Sequence, residues 1–211
     1  RLANARHDRC RVEVRGPRLS RRDVNDVRGT AATMLALDVD LSDFYDTIGD
    51  DPLLSWARAG AGRFVRSQTV FEDLIRTVCT TNCAFSATRR MLETTVSALG
   101  DSVTGGAGNA FPTAHQIVAA GPTFFRDTAR AGSRAESIVA IAERCASGDL
   151  DLEVLRPGGH PELSDDAVCA RLLELPGVGP YAAAHAMMLM GRYSMPVFDS
   201  WSRPAYARIS G

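Results

Sequence analysis

Lysine is missing altogether. All 24 basic residues are arginines, so no side chain here can form a lysine Schiff base. Long apolar runs are missing too: the longest weakly polar stretch, residues 181–190, is too short to span a bilayer and carries His185. No N-terminal segment has the charged, apolar, small-residue order of a signal peptide. The five cysteines (Cys10, Cys79, Cys83, Cys145, Cys169) are odd in number and lack metal-ligand spacing. That argues against a secreted disulfide scaffold and for a reducing cytosol. The formal net charge is −1, so no global basic field advertises a nucleic-acid partner. Pro and Gly are scattered rather than clustered, which excludes collagenous and disordered chains.

What is present is an ordinary globular composition, 45% apolar and 23% charged over 211 residues, enough for one domain with a small appendage. Charge is unevenly placed: residues 1–30 are rich in Arg, whereas residues 31–57 hold Asp and no basic residue. We therefore expect an N-terminal β and basic segment over 1–30 and a helical domain of two lobes over 31–211. Cys10 to Arg15 alternates apolar and charged residues ahead of Gly16-Pro17, which predicts a short edge strand. Helical signals dominate afterwards. Thr69 with Glu72, and Ser133 with Glu136, read as capping boxes, and Ser164 as a helix cap. Apolar stripes follow at Val70, Phe71, Leu74, Ile75 and Val78; at Phe85, Leu92, Val96 and Leu99; at Ile138, Ile141, Ala142 and Cys145; and at Val168, Leu172 and Leu175. Gly105, Gly106 and Gly108 form a turn, and Pro157-Gly158-Gly159 a loop. Pro112 and Thr113 open a segment ending at Gly121, and a second runs from Pro122 to Ala131. The first residue is Arg and the last lies inside a helical stretch, 200–210, so a chain trimmed at both ends is expected.

Leu175-Pro176-Gly177-Val178-Gly179 is the most specific motif. Two helices joined by a tight turn need Gly at positive φ, and paired glycines expose backbone N–H groups where a phosphate can sit. About twenty residues later comes Val197-Phe198-Asp199-Ser200-Trp201-Ser202-Arg203. The hairpin, a helix of small residues, then an apolar pair with Asp at a helix start resemble the helix-hairpin-helix glycosylase superfamily of DNA base-excision repair. Residues 37–45 and 71–82 look like corresponding segments of the 8-oxoguanine and alkyladenine glycosylases. The resemblance implies a mainly α fold, a helix-hairpin-helix DNA glycosylase fold with a short β element at its N-terminus. It further implies a monomer acting on double-stranded DNA with a damaged base, and no membrane.

The site residues follow from that resemblance and from their chemistry. Asp199 would stabilise the oxocarbenium character that builds on deoxyribose, and orient the attacking water; as a favoured N-cap it would also be held in direction. Gly177, Val178 and Gly179 would meet the DNA backbone, with a monovalent cation at the hairpin as in family members. Lyase-competent relatives place a lysine where Tyr181 stands, which implies an enzyme that uses water and leaves an abasic site. Asn82 matches a position that contacts the base left unpaired by flipping, or simply ends its helix. Arg134 matches one of two basic partners; the other position is Ala87, and the neighbouring aromatic is Ser133. Tyr181 and His185, four apart, would line the base pocket, with Trp201 beside the aspartate; each also reads as packing. Cys79 and Cys83 read as packing too, no metal ligand set is apparent, and no cysteine after Cys169 could complete an iron–sulfur cluster within this chain. The substrate expectation leans to alkylated purines such as 3-methyladenine. The alternatives are 8-oxoguanine and a non-catalytic DNA-binding module.

Overall fold

In the computed structural model the described residues are 2–5, 9–14, 18–103, 108–158 and 163–210. Arg15, Gly16 and Pro17 of the expected strand end, Gly105 and Gly106 of the turn, and Gly159 of the loop lie outside them. Strand β1 (Leu2–Ala5) pairs antiparallel with β2 (Arg9–Val12), with Leu2 opposite Val12 and Ala5 opposite Arg9. The expected strand thus starts one residue earlier, at Arg9, and ends at Val12 instead of Arg15. Its length is set by its partner, because β1 supplies a ladder for those residues only.

The chain divides between Gln68 and Thr69, not after residue 30. Helix α1 (Arg21–Met34) runs across the expected boundary, and two arginines tie the following stretch to it. The Arg66 side chain, 4% exposed, donates from Nε to the Thr33 carbonyl (2.5 Å) and from a terminal nitrogen to both Asp38 oxygens at 2.7 and 2.8 Å. Arg63 donates to the carbonyls of Ala36 and Val39. Both cations donate to carbonyls at and just after the end of α1, where Thr33 and Ala36 also accept backbone N–H groups from Ala36 and Val39. The Asp-rich stretch also contains helix α2 (Ser42–Ile48) and a 3₁₀ turn at Ser55–Ala59.

The second unit is all helical: α3 (Val70–Thr80), α4 (Phe85–Leu99), α5 (Ala114–Thr123), α6 (Arg134–Ala146), α7 (Asp165–Leu173), α8 (Pro180–Met190) and α9 (Ser202–Ser210). The stripes on α3, α6 and α7 form one core: Leu74, Val78, Ile138, Ile141, Val168 and Leu172 are fully buried, together with Ala183 and Met187 of α8. Helix α4 departs from expectation. Its buried face is Thr88, Met91 and Thr95, while Phe85 is 81% exposed. Helix α5 breaks as predicted: Thr113 caps its start, Gly121 leaves helical geometry at φ 68°, and Pro122 restarts the chain into a π turn at Phe124–Thr128. No helix among the described residues is long and apolar enough to cross a membrane.

Neither predicted capping box closes. Thr69 accepts from the Glu72 N–H (3.1 Å), but the Glu72 carboxylate turns to Arg76 at 2.7 Å. The next N–H, that of Val70, donates to Glu153 Oε1 at 2.6 Å, from far along the chain. Ser133 makes no side-chain cap, and Glu136 pairs with Arg126. Ser164 does cap α7, accepting from the Ala167 N–H at 3.2 Å. An arginine within reach competes with the backbone for a first-turn glutamate, and a charged pair is the stronger bond. Glu153→Ala is therefore expected to cost about 1 kcal/mol by loss of a helix-start acceptor. Glu72→Ala, which removes an i,i+4 pair that is only partly exposed, should cost about 0.5 kcal/mol or less. Urea midpoints of the two variants check this order.

Candidate active-site cleft

The turn between α7 and α8 is built on a steric constraint. Gly177 has φ +75°, and a Cβ there would sit 2.6 Å from Ser137 Oγ and 2.7 Å from Ser137 Cβ. Glycine is needed on both counts. Gly177 supplies the positive φ that the turn needs; Gly179 is extended, at φ −94° and ψ −177°, and a Cβ there would meet nothing within 4 Å. Its freedom is space outside the protein, not backbone geometry. Val178 points inward, 6% exposed, while its N–H donates to the Leu175 carbonyl at 3.1 Å. The N–H groups of Gly177 and Gly179 donate to no backbone carbonyl among the described residues. Pro180 then opens α8 at its first turn, where a missing N–H costs nothing.

A cleft of about 1130 Å³ opens beside this hairpin, between the end of α3, the start of α6, and α8 with the start of α9. Asn82, Arg134, Gly177, Gly179, Tyr181, His185 and Asp199 all line it. Asp199 caps α9: its Oδ1 accepts from the backbone N–H groups of Trp201 (2.9 Å) and Ser202 (2.6 Å) and from Ser202 Oγ (2.8 Å). Its own N–H donates to Ser202 Oγ at 2.9 Å. These bonds, the Ser202 N–H foremost, hold the exposed carboxyl below its ordinary 3.8, so it is ionised at neutral pH. All fall on Oδ1, and Oδ2 accepts none among the described residues.

On α8, Tyr181 and His185 face the cleft as a pair, with Tyr181 Oη 3.1 Å from His185 Nδ1 and the rings edge to face at 5.6 Å. Burial pushes the imidazole below its ordinary 6.5 and the nearby Asp73 opposes this, so the ring is neutral at pH 7. Across the cleft, α3 ends at Thr81, and Asn82 takes the left-handed conformation at φ 47°. Asn does so more readily than other residues with a side chain. Arg134 does not reach outward. Its Nε donates to the Thr81 carbonyl at 2.8 Å and one terminal nitrogen to the Ala131 carbonyl at 3.0 Å, while the other terminal nitrogen also meets Thr81 O.

No protein-family model matches the chain. It is 29% identical over 169 residues to the DNA-3-methyladenine glycosylase of Bacillus subtilis (strain 168), a match covering 77% of this chain and 54% of that protein. The chain therefore spans about half the length of that curated relative. Among solved structures, the 3-methyladenine DNA-glycosylase from Archaeoglobus fulgidus is 25% identical with a TM-score of 0.71, over 90% of this chain and 64% of that one. The Clostridium acetobutylicum 8-oxoguanine glycosylase/lyase, complexed with double-stranded DNA containing cytosine opposite 8-oxoG, is 22% identical with a TM-score of 0.74, over 90% and 64%. The chain shares the fold of the helix-hairpin-helix DNA glycosylases.

Within this glycosylase fold, two residues expected at the site stand apart from it. Val178 is core, because its side chain faces away from the exposed N–H groups on either side. Trp201 is 78% exposed and does not line the cleft; it offers Asp199 its backbone N–H rather than its ring. Cys79 and Cys83 are free thiols. Burial raises the Cys79 thiol to about 12, and Cys83 Sγ is 3.2 Å from the Cys79 carbonyl, so both serve packing. Phe85, Ser137, Phe198 and Arg203 also line the cleft and went unread in the sequence. Phe198 stands inside the motif, so its neighbour Asp199 was the available signal; Phe85 looked like one more apolar position of its helix.

Two outcomes follow from these contacts. Gly177→Ala is expected to cost about 2 kcal/mol or more in unfolding free energy, from strain and overpacking together. Gly179→Ala should cost about 1 kcal/mol or less, since it meets open space at an extended helix cap. Chemical denaturation compares them. Asp199, with its folded pKa depressed, contributes stability that is present above its unfolded value and lost as pH falls through the depressed one. Carboxyl ¹³C titration should place Asp199 below 3.8, and Ser202→Ala should move it upward by removing the Oγ donor.

Proposed function

We propose that this chain is a monofunctional DNA glycosylase, which flips a damaged base into the cleft and hydrolyses its N-glycosidic bond. One observation carries the reading. The cap bonds converge on Oδ1 of Asp199, leaving an oriented, ionised Oδ2 at the cleft. As the C1′–N bond breaks, its electron pair leaves with the base and positive charge grows on the sugar, which a fixed carboxylate stabilises. Water adds to C1′ and gives up its proton, Asp199 being the base at hand. The open face of Gly179 is the proposed seat of a backbone phosphate, directly or through a monovalent cation. The reading takes no metal cofactor and no iron–sulfur cluster, and the partner is double-stranded DNA engaged by a monomer.

Alkylated purines are the proposed substrates. A cationic alkylated base is already a good leaving group and needs mainly aromatic surface, which Tyr181, His185 and Phe198 supply. The 3-methyladenine glycosylase similarity supports the same choice. An 8-oxoguanine reading is favoured by the outward Asn82 side chain, which makes no hydrogen bond among the described residues. No side chain supports lyase chemistry: the chain holds no lysine, a Tyr181 phenol cannot form an imine, and arginine is too basic to act as a neutral amine.

The test is a screen of duplexes bearing single lesions, developed with hot alkali and run with and without borohydride. Base release without trapped protein–DNA adduct is expected, with 3-methyladenine ahead of 8-oxoguanine. Asn still caps a helix well, so Asp199→Asn should keep its melting temperature and DNA affinity while base release falls by roughly 100-fold or more. Near-normal turnover by that variant would falsify the assignment. Strand cleavage without alkali, together with an adduct, would overturn the monofunctional reading.

A further inference from the structure

The cleft carries a cation that the hydrolytic reading leaves unused. Two arginines line it, Arg134 and Arg203. The Arg134 guanidinium is taken up by the Thr81 and Ala131 carbonyls. Arg203 is exposed, and its side chain makes no hydrogen bond or ion pair among the described residues. In a chain without lysine it is the one uncommitted cation among the described residues of the cleft wall. Its place is fixed by the residue that carries the proposed chemistry. The Arg203 N–H donates to the Asp199 carbonyl at 3.1 Å, within the turn that Asp199 caps. Both side chains line the cleft, one helical turn or about 5 Å apart along the axis. Yet they do not pair, although Oδ2 of Asp199 accepts no bond among the described residues.

A bare cation at this place works against the reaction. Positive charge grows on the sugar as the base leaves, and a guanidinium one turn from Asp199 repels it once DNA has displaced water from the cleft. Stripped of its hydration, the same guanidinium would also compete for Oδ2. An anion brought by the substrate removes both effects. A nucleotide in a DNA strand has a phosphate on either side of its sugar, and arginine matches phosphate with parallel N–H bonds.

We propose that Arg203 is a specificity-determining residue that pairs with a phosphate flanking the flipped nucleotide, and that base release depends on this pairing because it cancels the positive charge beside Asp199. The inference rests on the cleft receiving a flipped nucleotide, as in the function proposed above. Arg203 reads the backbone and no base. It favours a nucleotide held within a phosphodiester chain over a free nucleoside.

The test uses duplexes with one tetrahydrofuran abasic analogue, in which each of the two flanking phosphates is replaced in turn by an uncharged methylphosphonate. Affinity is read by fluorescence anisotropy. For the wild-type protein one of the two replacements should weaken binding by about tenfold. Arg203→Ala should weaken binding to the ordinary duplex by a similar factor, and that replacement should then cost nothing further. Arg203→Lys, which keeps the charge, should still feel it. Penalties that simply add at both phosphates overturn the pairing. A second arm follows base release at saturating enzyme from the lesion released fastest in the screen above, with the same replacement in its backbone. Wild-type release should slow by about tenfold on the uncharged backbone, whereas Arg203→Ala should release at one rate from both backbones. Wild-type release that ignores the replacement, or equal slowing in both proteins, overturns the charge dependence. Should Arg203→Ala fail to fold, Arg203→Gln takes its place. Base release with additive binding penalties defeats this inference alone, whereas non-additive binding without base release from any lesion defeats the hydrolase reading alone.

Discussion

Everything around the cleft depends on how closely the α7–α8 hairpin approaches α6. Ser137 stands where any side chain at position 177 would have to go, its Oγ 2.6 Å from the place of a Cβ. Backbone packed directly on a serine brings the hairpin in until Val178 enters the core. That depth fixes where α8 begins, and with it the direction of Tyr181 and His185 in its first and second turns. The far end of α8 is tied down separately: Arg192 donates to the Leu155 carbonyl at 2.8 Å and to Asp165 at 2.5 Å.

Helix α6 serves both rims. Arg134 and Ser137 are three apart and share a face, one gripping the turn after α3 and the other receiving the hairpin. The distance across the cleft is thus set by a single helix rather than by loops. In a chain of net charge −1 this matters. With no broad positive field to draw in a polyanion, the proposed recognition of DNA would rely on fixed local donors such as the open N–H groups at the hairpin.

At Asp199 the observed cap is compatible with the catalytic role proposed for it. A cap needs one carboxylate oxygen turned to the helix N-terminus, and stabilising a cation needs the other turned away. Ser202 and Trp201 bind Oδ1 and leave Oδ2. The same bonds depress the pKa, so the group that orients the carboxylate also keeps it charged. Burial, which would raise the pKa, plays little part at this exposed residue.

Features that depend on residues a few positions apart were legible in the sequence. The hairpin, the Ser164 cap, the break at Gly121-Pro122, the stripes on α3, α6 and α7, and Asp199 at a helix start all follow from local φ/ψ demands and a period of 3.6. Where a side chain chooses between competing partners, near or distant, capping rules alone fail. Glu72 and Glu136 could each have closed a capping box, but arginines took them, and the Val70 N–H found Glu153 far along the chain. The same reason explains Phe85, Trp201 and Arg134. Periodicity shows that a helix has an apolar face, but which residues meet the core depends on the helix across from it. Arg134 could be recognised as a cation near the site; only packing α6 against the end of α3 turned its guanidinium onto the protein's own carbonyls.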